Sequence, residues 1–452
     1  MQYTLTITED LNDRLKKAVF GMVGCEGAAY IACGVASLAD ETRLLARDII
    51  PVRDEHYLLR KSRRLSIDGR SFVPVAKRAK LEKEAILFVH SHPEDSPHFS
   101  IYDDEEEPKL MEFFNARAGQ TPHGSLLCWP PDRLMGRILT GTGWQPIVRI
   151  RVIGNRFRFF DSDTSKPPLP VFYDRQIRAF GPEIQLLLSR LHVGVVGAGG
   201  TGSATVEQLA RLGVGTISIF DGKSFTDSNV TRVHGSTLAD AGMSKAVVQE
   251  AHVKNLGLDT KPYVHVRPIT DEYIAKQLRS CDLVFGCTDK QGPRAILERL
   301  ALFYLIPVID MAVKVDSQQQ VLRGVWGRVT TLLPGEACFS CRGTINPTTL
   351  RAEKLPPEQY QQELAEGYIT ELITDEPAVI MFTTAVSAQA VSELLHRLTG
   401  FMGADRVSSE VLLRFHESRI RTNCMPAKPN CYCQQRQHWG RGDSRNFLGL
   451  TW

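Results

Sequence analysis

The chain has no apolar run as long as the roughly 18 to 20 residues a helix needs to cross a bilayer, so no membrane partner is expected. It has little excess charge: 54 Lys and Arg against 51 Asp and Glu leave a net +3 over 452 residues. That excludes the strongly basic field of a nucleic-acid binder, and no nucleic acid is expected. The N-terminus, MQYTLTITEDLNDRLKKAVF, carries acids and no apolar signal core, which argues for a cytoplasmic protein. Cysteine is scarce, 10 residues in all, and several fall in close pairs, which in such a chain suggests metal rather than disulfides. There is no internal repeat. What is present, 43% hydrophobic and 23% charged residues, is the balance of a globular protein long enough for two or three domains.

The pattern divides the chain into a first domain at 1–160, a polar then Pro-rich linker at 161–172 (DSDTSKPPLPVF), an α/β domain at 173–423 and a tail at 424–452. The first domain mixes a helix at Leu11–Val19 with strands at Tyr30–Ser37, Ala85–His90, Ser125–Trp129 and Ile147–Ile153, an α+β pattern. The second alternates strands at His192–Val196, Thr216–Phe220, Val264–Val266, Asp282–Phe285 and Pro307–Ile309 with helical patterns, the order of a doubly wound, Rossmann-like sheet. The tail, rich in Arg, Gly and Gln, reads as loosely ordered.

LHVGVVGAGGTGSATVEQLARLG, from Leu191 to Gly213, is a strand, a glycine turn (Gly197, Gly199, Gly200, Gly202) and a helix start. Glycine admits a phosphate to the backbone, and the helix N-terminus supplies free N–H groups. Asp221, at the end of the next strand, suits a ribose hydroxyl. Up to this point NAD and ATP fit equally. Arg175, Asn229, Arg232, Lys245 and Asp289 then favour ATP, because attack on an α-phosphate needs cations for the phosphoryl charge and an acid for Mg²⁺, whereas hydride transfer does not.

YDRQIRAFG, GAGGTGS, SNVTR, GMSK and CTD, in this order, resemble the ThiF/MoeB family, whose fold is shared with ubiquitin-activating enzymes. The resemblance implies ATP-dependent adenylation of the C-terminal Gly of a ubiquitin-like or sulfur-carrier protein. It gives Asp221 to the ribose, Asn229, Arg232 and Lys245 to the phosphates, and Asp289 to Mg²⁺ and pyrophosphate. Arg175 would reach ATP across a homodimer. Lys223 stands where the family usually has a second Asp.

Cys338-x-x-Cys341 with Cys431-x-Cys433 is the make-up of a closed structural Zn²⁺ site, with Cys433 or Cys424 as alternatives for the fourth ligand. Relatives carry a nucleophilic Cys shortly after the first pair, but Arg342–Arg421 contains no Cys, and EGYITELITDEPAVIMFTTAVSAQ (Glu366–Gln389) offers Thr and Glu. On this resemblance the reaction stops at the acyl adenylate, or a partner such as a conjugating enzyme supplies the thiol, with Cys424 as a third alternative. Cys281 and Cys287 read as packing residues.

In the first domain, ILFVHSHPEDSPHFSIYDDEEE places His90 and His92 two apart at a strand end, hence on one face. Asp103, eleven residues on, completes a two-His, one-carboxylate set that leaves a position for water, the mark of a catalytic zinc. The run Asp103–Glu107 otherwise reads as a solvated helix start, and His98 and His123 as surface or core residues. H-x-H-P, six residues, S-x-x-D resembles the JAB/JAMM (MPN-type) metallopeptidase motif. The resemblance implies cleavage of peptide or isopeptide bonds after the C-terminal Gly of ubiquitin-like proteins, to mature a precursor or to reverse conjugation, with Glu26 as general base and Ser100 stabilising the oxyanion. Together the two resemblances imply a bifunctional enzyme of a prokaryotic ubiquitin-like pathway, of a kind linked by analogy to antiviral defence. The alternatives are sulfur-carrier activation and a non-catalytic scaffold.

Overall fold

In the computed structural model, which describes residues 1–94, 96–119, 121–371 and 377–452, the chain divides into two units. Unit 1 contains residues 1–165, 303–305 and 436–451, and unit 2 contains 166–302, 306–435 and 452.

Unit 1 runs β1 (Gln2–Thr8), α1 (Glu9–Val19), β2 (Ala28–Ser37), β3 (Glu41–Pro51), β4 (Tyr57–Arg60), β5 (Leu65–Ile67), α2 (Gly69–Glu82), β6 (Ala85–Ser91), α3 (Ile101–Ala118), β7 (Gly124–Trp129), β8 (Arg133–Thr140), β9 (Gly143–Ile153) and β10 (Arg158–Asp161). Eight strands form one sheet in the order β1-β3-β2-β6-β7-β8-β9-β10, with β4 and β5 paired apart. The start of β9 pairs with β8, and Ile147–Ile153 pairs in parallel with β1, so the sheet closes on itself. Period-two alternation gives it two cores. Ile31, Leu87 and Val89 pack with Leu11, Leu15 and Val19 of α1. Tyr30, Ile86 and Phe88 pack with Val75, Ala79, Met111 and Phe114 of α2 and α3. α1 starts because Thr8 Oγ1 accepts from the Leu11 amide at 3.4 Å, and it buries residues four apart.

The tail is not loose. Phe447 and Leu448 are buried, Arg441 pairs with Glu82 at 2.7 Å, and Gly442 bridges Val35 in parallel. A Cβ on Gly34 of β2 would meet the Gly440 carbonyl at 1.9 Å, so glycine is what admits the tail backbone. Apolar residues at 447–448 overcame a composition that otherwise reads as solvated.

Unit 2 runs α4 (Asp174–Phe180), α5 (Pro182–Ser189), β11 (His192–Val196), α6 (Gly200–Arg211), β12 (Thr216–Phe220), α7 (Lys245–Asn255), β13 (Lys261–His265), α8 (Glu272–Gln277), β14 (Leu283–Gly286), α9 (Gln291–Phe303), β15 (Val308–Gln318), β16 (Val321–Leu332), α10 (Pro347–Ala352), α11 (Pro357–Ala365), α12 (Ile380–Thr399), β17 (Glu410–Arg414) and β18 (Arg419–Asn423). The sheet order is β13-β12-β11-β14-β15-β16-β17-β18. The first five strands are parallel, as in a Rossmann-like sheet, and the last three continue as an antiparallel meander. The order reverses between β11 and β14, so the crevice where such sheets take ligands lies at the carboxyl ends of those two strands. No described helix is long and apolar enough to cross a membrane.

Candidate functional site

The strand end in unit 1 assembles its residues from three elements. Along β6, His90 follows Ile86 and Phe88 onto the face covered by α3. Ser91 points to the other face. Its amide donates to the Gly27 carbonyl at 3.0 Å, its hydroxyl donates to the Val19 carbonyl at 2.7 Å, and it accepts from the Gly27 amide at 3.0 Å. These bonds clamp the loop that carries Glu26 beside the histidines. The loop is also held by the Glu26 amide donating to Lys61 and by Arg60 donating to the Glu26 carbonyl, each at 2.9 Å. The His92 amide donates to the Cys128 carbonyl at the end of β7.

α3 supplies the acid. Ser100 caps it: Ser100 Oγ accepts from the Asp103 amide at 3.3 Å, and Asp103 accepts from the Ser100 amide at 2.6 Å. Ser100 thus serves first as a cap, and among the described residues its hydroxyl acts only as an acceptor. Ligand atoms of His90, His92 and Asp103 lie within 4.8 Å of one another. His92 Nδ1 lies 3.0 Å from the Ser96 carbonyl, which can only accept, so Nε2 keeps its lone pair. That Nε2 lies 3.9 Å from both Asp103 and Glu26. Both ring nitrogens of His90 are buried without a hydrogen bond of good geometry, and Nε2 faces Asp103 at 3.4 Å. Two imidazoles, one carboxylate and orphaned buried nitrogens fit a zinc-like ion.

Burial raises the Glu26 carboxyl to about 7, against the pull of His90. Burial would push His90 down, but the carboxylates of Asp103 and Glu107 outweigh it and raise the ring to about 10. The acid run is not simply a solvated helix start: Glu107 is 4% exposed. Its signal was its place one turn after Asp103, on the same helix face. His123 is a core residue, with Nδ1 accepting from the Ile86 amide, and His98 is exposed.

In unit 2, Gly197 closes the turn at φ +99°, and a Cβ on Gly202 would meet the Gly197 carbonyl at 1.8 Å, whereas one on Gly199 would meet nothing within 4 Å. The tight pair shapes the loop, and Gly199 leaves room beside it. Gly200 opens α6 against Thr383 of α12. Asp221 Oδ2 accepts from the Ala198 amide and Oδ1 from the Lys223 amide, each at 2.7 Å, which stitches β12 to the loop. A bridge between Ser224 and Ser244 brings Lys245 to the same place. Burial lowers the Lys245 ammonium, and the charges of Asp221, Lys223, Arg232 and Asp289 all act on it, so these five groups share one region. Lys223 Nζ faces Asp289 at 3.5 Å across the switch point. Asn229 is buried, its side-chain oxygen accepting from the Thr226 amide. Arg175 stands exposed on α4, with no ion pair to this group among the described residues.

The sulfurs of Cys338, Cys341, Cys431 and Cys433 lie within 4.8 Å of one another, and Cys424 is exposed outside the group. The Cys338–Cys431 and Cys341–Cys433 separations are 3.5 and 3.7 Å. A tetrahedron with Zn–S bonds of about 2.3 Å has edges of about 3.8 Å, so the donor set fits zinc. Cys281 is buried, and burial raises the Cys287 thiol to about 12. Of the stretch read for a nucleophile, residues 372–376 lie outside the described residues.

Residues 173–435, more than half of the chain, match the model of the ThiF family. The Adenylyltransferase and sulfurtransferase MOCS3 of Drosophila willistoni is 30% identical over 152 residues, 33% of this chain and 33% of that protein. The SAMP-activating enzyme E1 of Haloferax volcanii is 29% identical over 161 residues, 36% of this chain and 56% of that one. The Molybdopterin-synthase adenylyltransferase of Escherichia coli (strain K12) is 29% identical over 177 residues, 37% of this chain and 66% of that one. The chain spans about a third of the length of the first curated relatives it matches, 35% and 33%. The crystal structure of E. coli MccB with ATP shares 16% identity at a TM-score of 0.46, covering 59% of this chain and 74% of that chain.

Proposed function

The chain belongs to the ThiF family, and on that premise we propose that unit 2 adenylates the C-terminal Gly carboxylate of a ubiquitin-like or sulfur-carrier protein. We propose with it that unit 1 is a JAB/JAMM-type peptidase cutting the bond after that same Gly. The first half is supported by the family match together with the charges gathered around Lys245 at the switch point. The second is carried by one juxtaposition: buried Glu26 beside His92 and Asp103 at the end of β6.

In the activating reaction a carboxylate oxygen attacks the α-phosphorus of ATP and pyrophosphate leaves. Lys245 and Arg232 offset the phosphoryl charge, Asp221 takes the ribose, and Asp289 would hold Mg²⁺ after its exposed pairing with Lys223 opens. Asn229 and Arg175 belong to the same proposal, the latter across a homodimer. In the peptidase reaction His90, His92 and Asp103 would hold zinc, which supplies Lewis-acid activation of water at neutral pH. Glu26 takes the water's proton and delivers it to the leaving amine, and Ser100 donates to the developing oxyanion. Cys338, Cys341, Cys431 and Cys433 would hold a second, structural zinc. A conjugating enzyme is the proposed source of any thiol.

The test is ATP–pyrophosphate exchange driven by a small Gly-ended ubiquitin-like protein, alongside mass analysis of a precursor extended beyond its Gly. Exchange and trimming are both expected, and the absence of either removes that half. A second reading, sulfur transfer, is favoured by the sulfurtransferase names of several relatives. A thiocarboxylate on the carrier, formed only when sulfide is added, would establish it.

A further inference from the structure

We propose that Glu107, held by Arg137, is the positioning residue that fixes the ring orientation and tautomer of His90 for metal binding. The inference rests on reading unit 1 as a metal site. α3 places Glu107 one turn beyond Asp103, so two acids of one helix face address the two nitrogens of one imidazole. Asp103 faces Nε2 at 3.4 Å and Glu107 Oε1 faces Nδ1 at 3.3 Å.

A carboxylate 4% exposed is costly unless it is held, and Glu107 is held on one side only. Its Oε2 accepts from Arg137 Nη2 at 2.7 Å and from Nε at 3.2 Å. Arg137 is itself fixed, its guanidinium carbon 3.8 Å from the Phe99 ring centre and 4.2 Å from that of Trp144. Oε1 is left buried without a hydrogen bond of good geometry, aimed at the imidazole. A purely structural Arg–Glu pair does not require that second oxygen to face a metal-ligating ring. A proton on Nδ1 satisfies Oε1 and leaves the Nε2 lone pair facing Asp103, where the ion would sit.

Zinc affinity of the full-length protein, measured by chelator competition, tests this. The zinc that a His90→Ala variant fails to retain defines the site and separates it from cysteine-held metal. Glu107→Gln keeps the volume but weakens the acceptor and should lower affinity about 10-fold. Glu107→Ala should lower it about 100-fold, the upper end for such outer partners. The visible absorption of the cobalt-loaded protein should change in both, and circular dichroism reports whether each variant is folded. If Glu107→Ala does not fold, Glu107→Gln decides alone. Wild-type affinity and cobalt spectrum in Glu107→Gln would overturn the proposal. If wild-type protein holds no more zinc than His90→Ala, the metal-site reading itself fails.

Discussion

At the end of β6 the side chains of the proposed metal site are buried close together: His90, His92 and Glu26 are 1%, 8% and 5% exposed. At the switch point of unit 2 the charges lie open, and the Lys223 and Asp289 side chains are 56% and 66% exposed. A small, bare ion needs its ligands set beforehand, because each must meet it at about 2 Å. A triphosphate is large and highly charged, and long cationic side chains can close on it after it arrives. One site is therefore built by packing, capping and a clamp through Ser91, and the other by a glycine loop surrounded by adjustable charge.

The sharpest way to break this contrast is Glu26→Ala, expected to slow cleavage after Gly by about 10²–10⁴-fold while leaving pyrophosphate exchange with an already trimmed carrier unchanged, both read on the same enzyme preparation. Loss of both activities in a folded variant would refute two separate sites. Lys245→Ala should do the converse, lowering exchange by about 10²–10³-fold with cleavage intact. Leu448→Ala, in the packed tail, should destabilise unit 1 by about 2–5 kcal/mol in denaturant unfolding, with domain-resolved hydrogen exchange locating the loss there. The smallest effect is expected from Lys223→Ala. An exposed pair of this kind contributes less than about 1 kcal/mol to stability, so its unfolding midpoint should scarcely move.

Local patterns made much of this readable. The glycine turn, the strand end at Asp221 and the H-x-H spacing are short-range signals, and each falls on the element expected. The edges of strands moved where polar residues pair on an outer ladder: β15 runs to Gln318, and β13 begins at Lys261 rather than Val264. What stayed hidden depends on partners far away in sequence. Glu107 looked solvated because nothing near it announces Arg137, thirty residues on. Nothing in the H-x-H pattern marks Ser91, yet its bonds to Val19 and Gly27 place Glu26. The tail looked loose because its glycine and arginine content says nothing of Gly34, the position in β2 that makes room for it.

If two sites on one polypeptide address the same terminal Gly, pyrophosphate exchange driven by a ubiquitin-like precursor extended beyond that Gly requires both of them to act in turn. Wild-type protein should trim the precursor and then support exchange, whereas Glu26→Ala should support exchange only with carrier supplied already trimmed. Equal exchange from the precursor in both proteins, or none from any Gly-ended carrier, would contradict it.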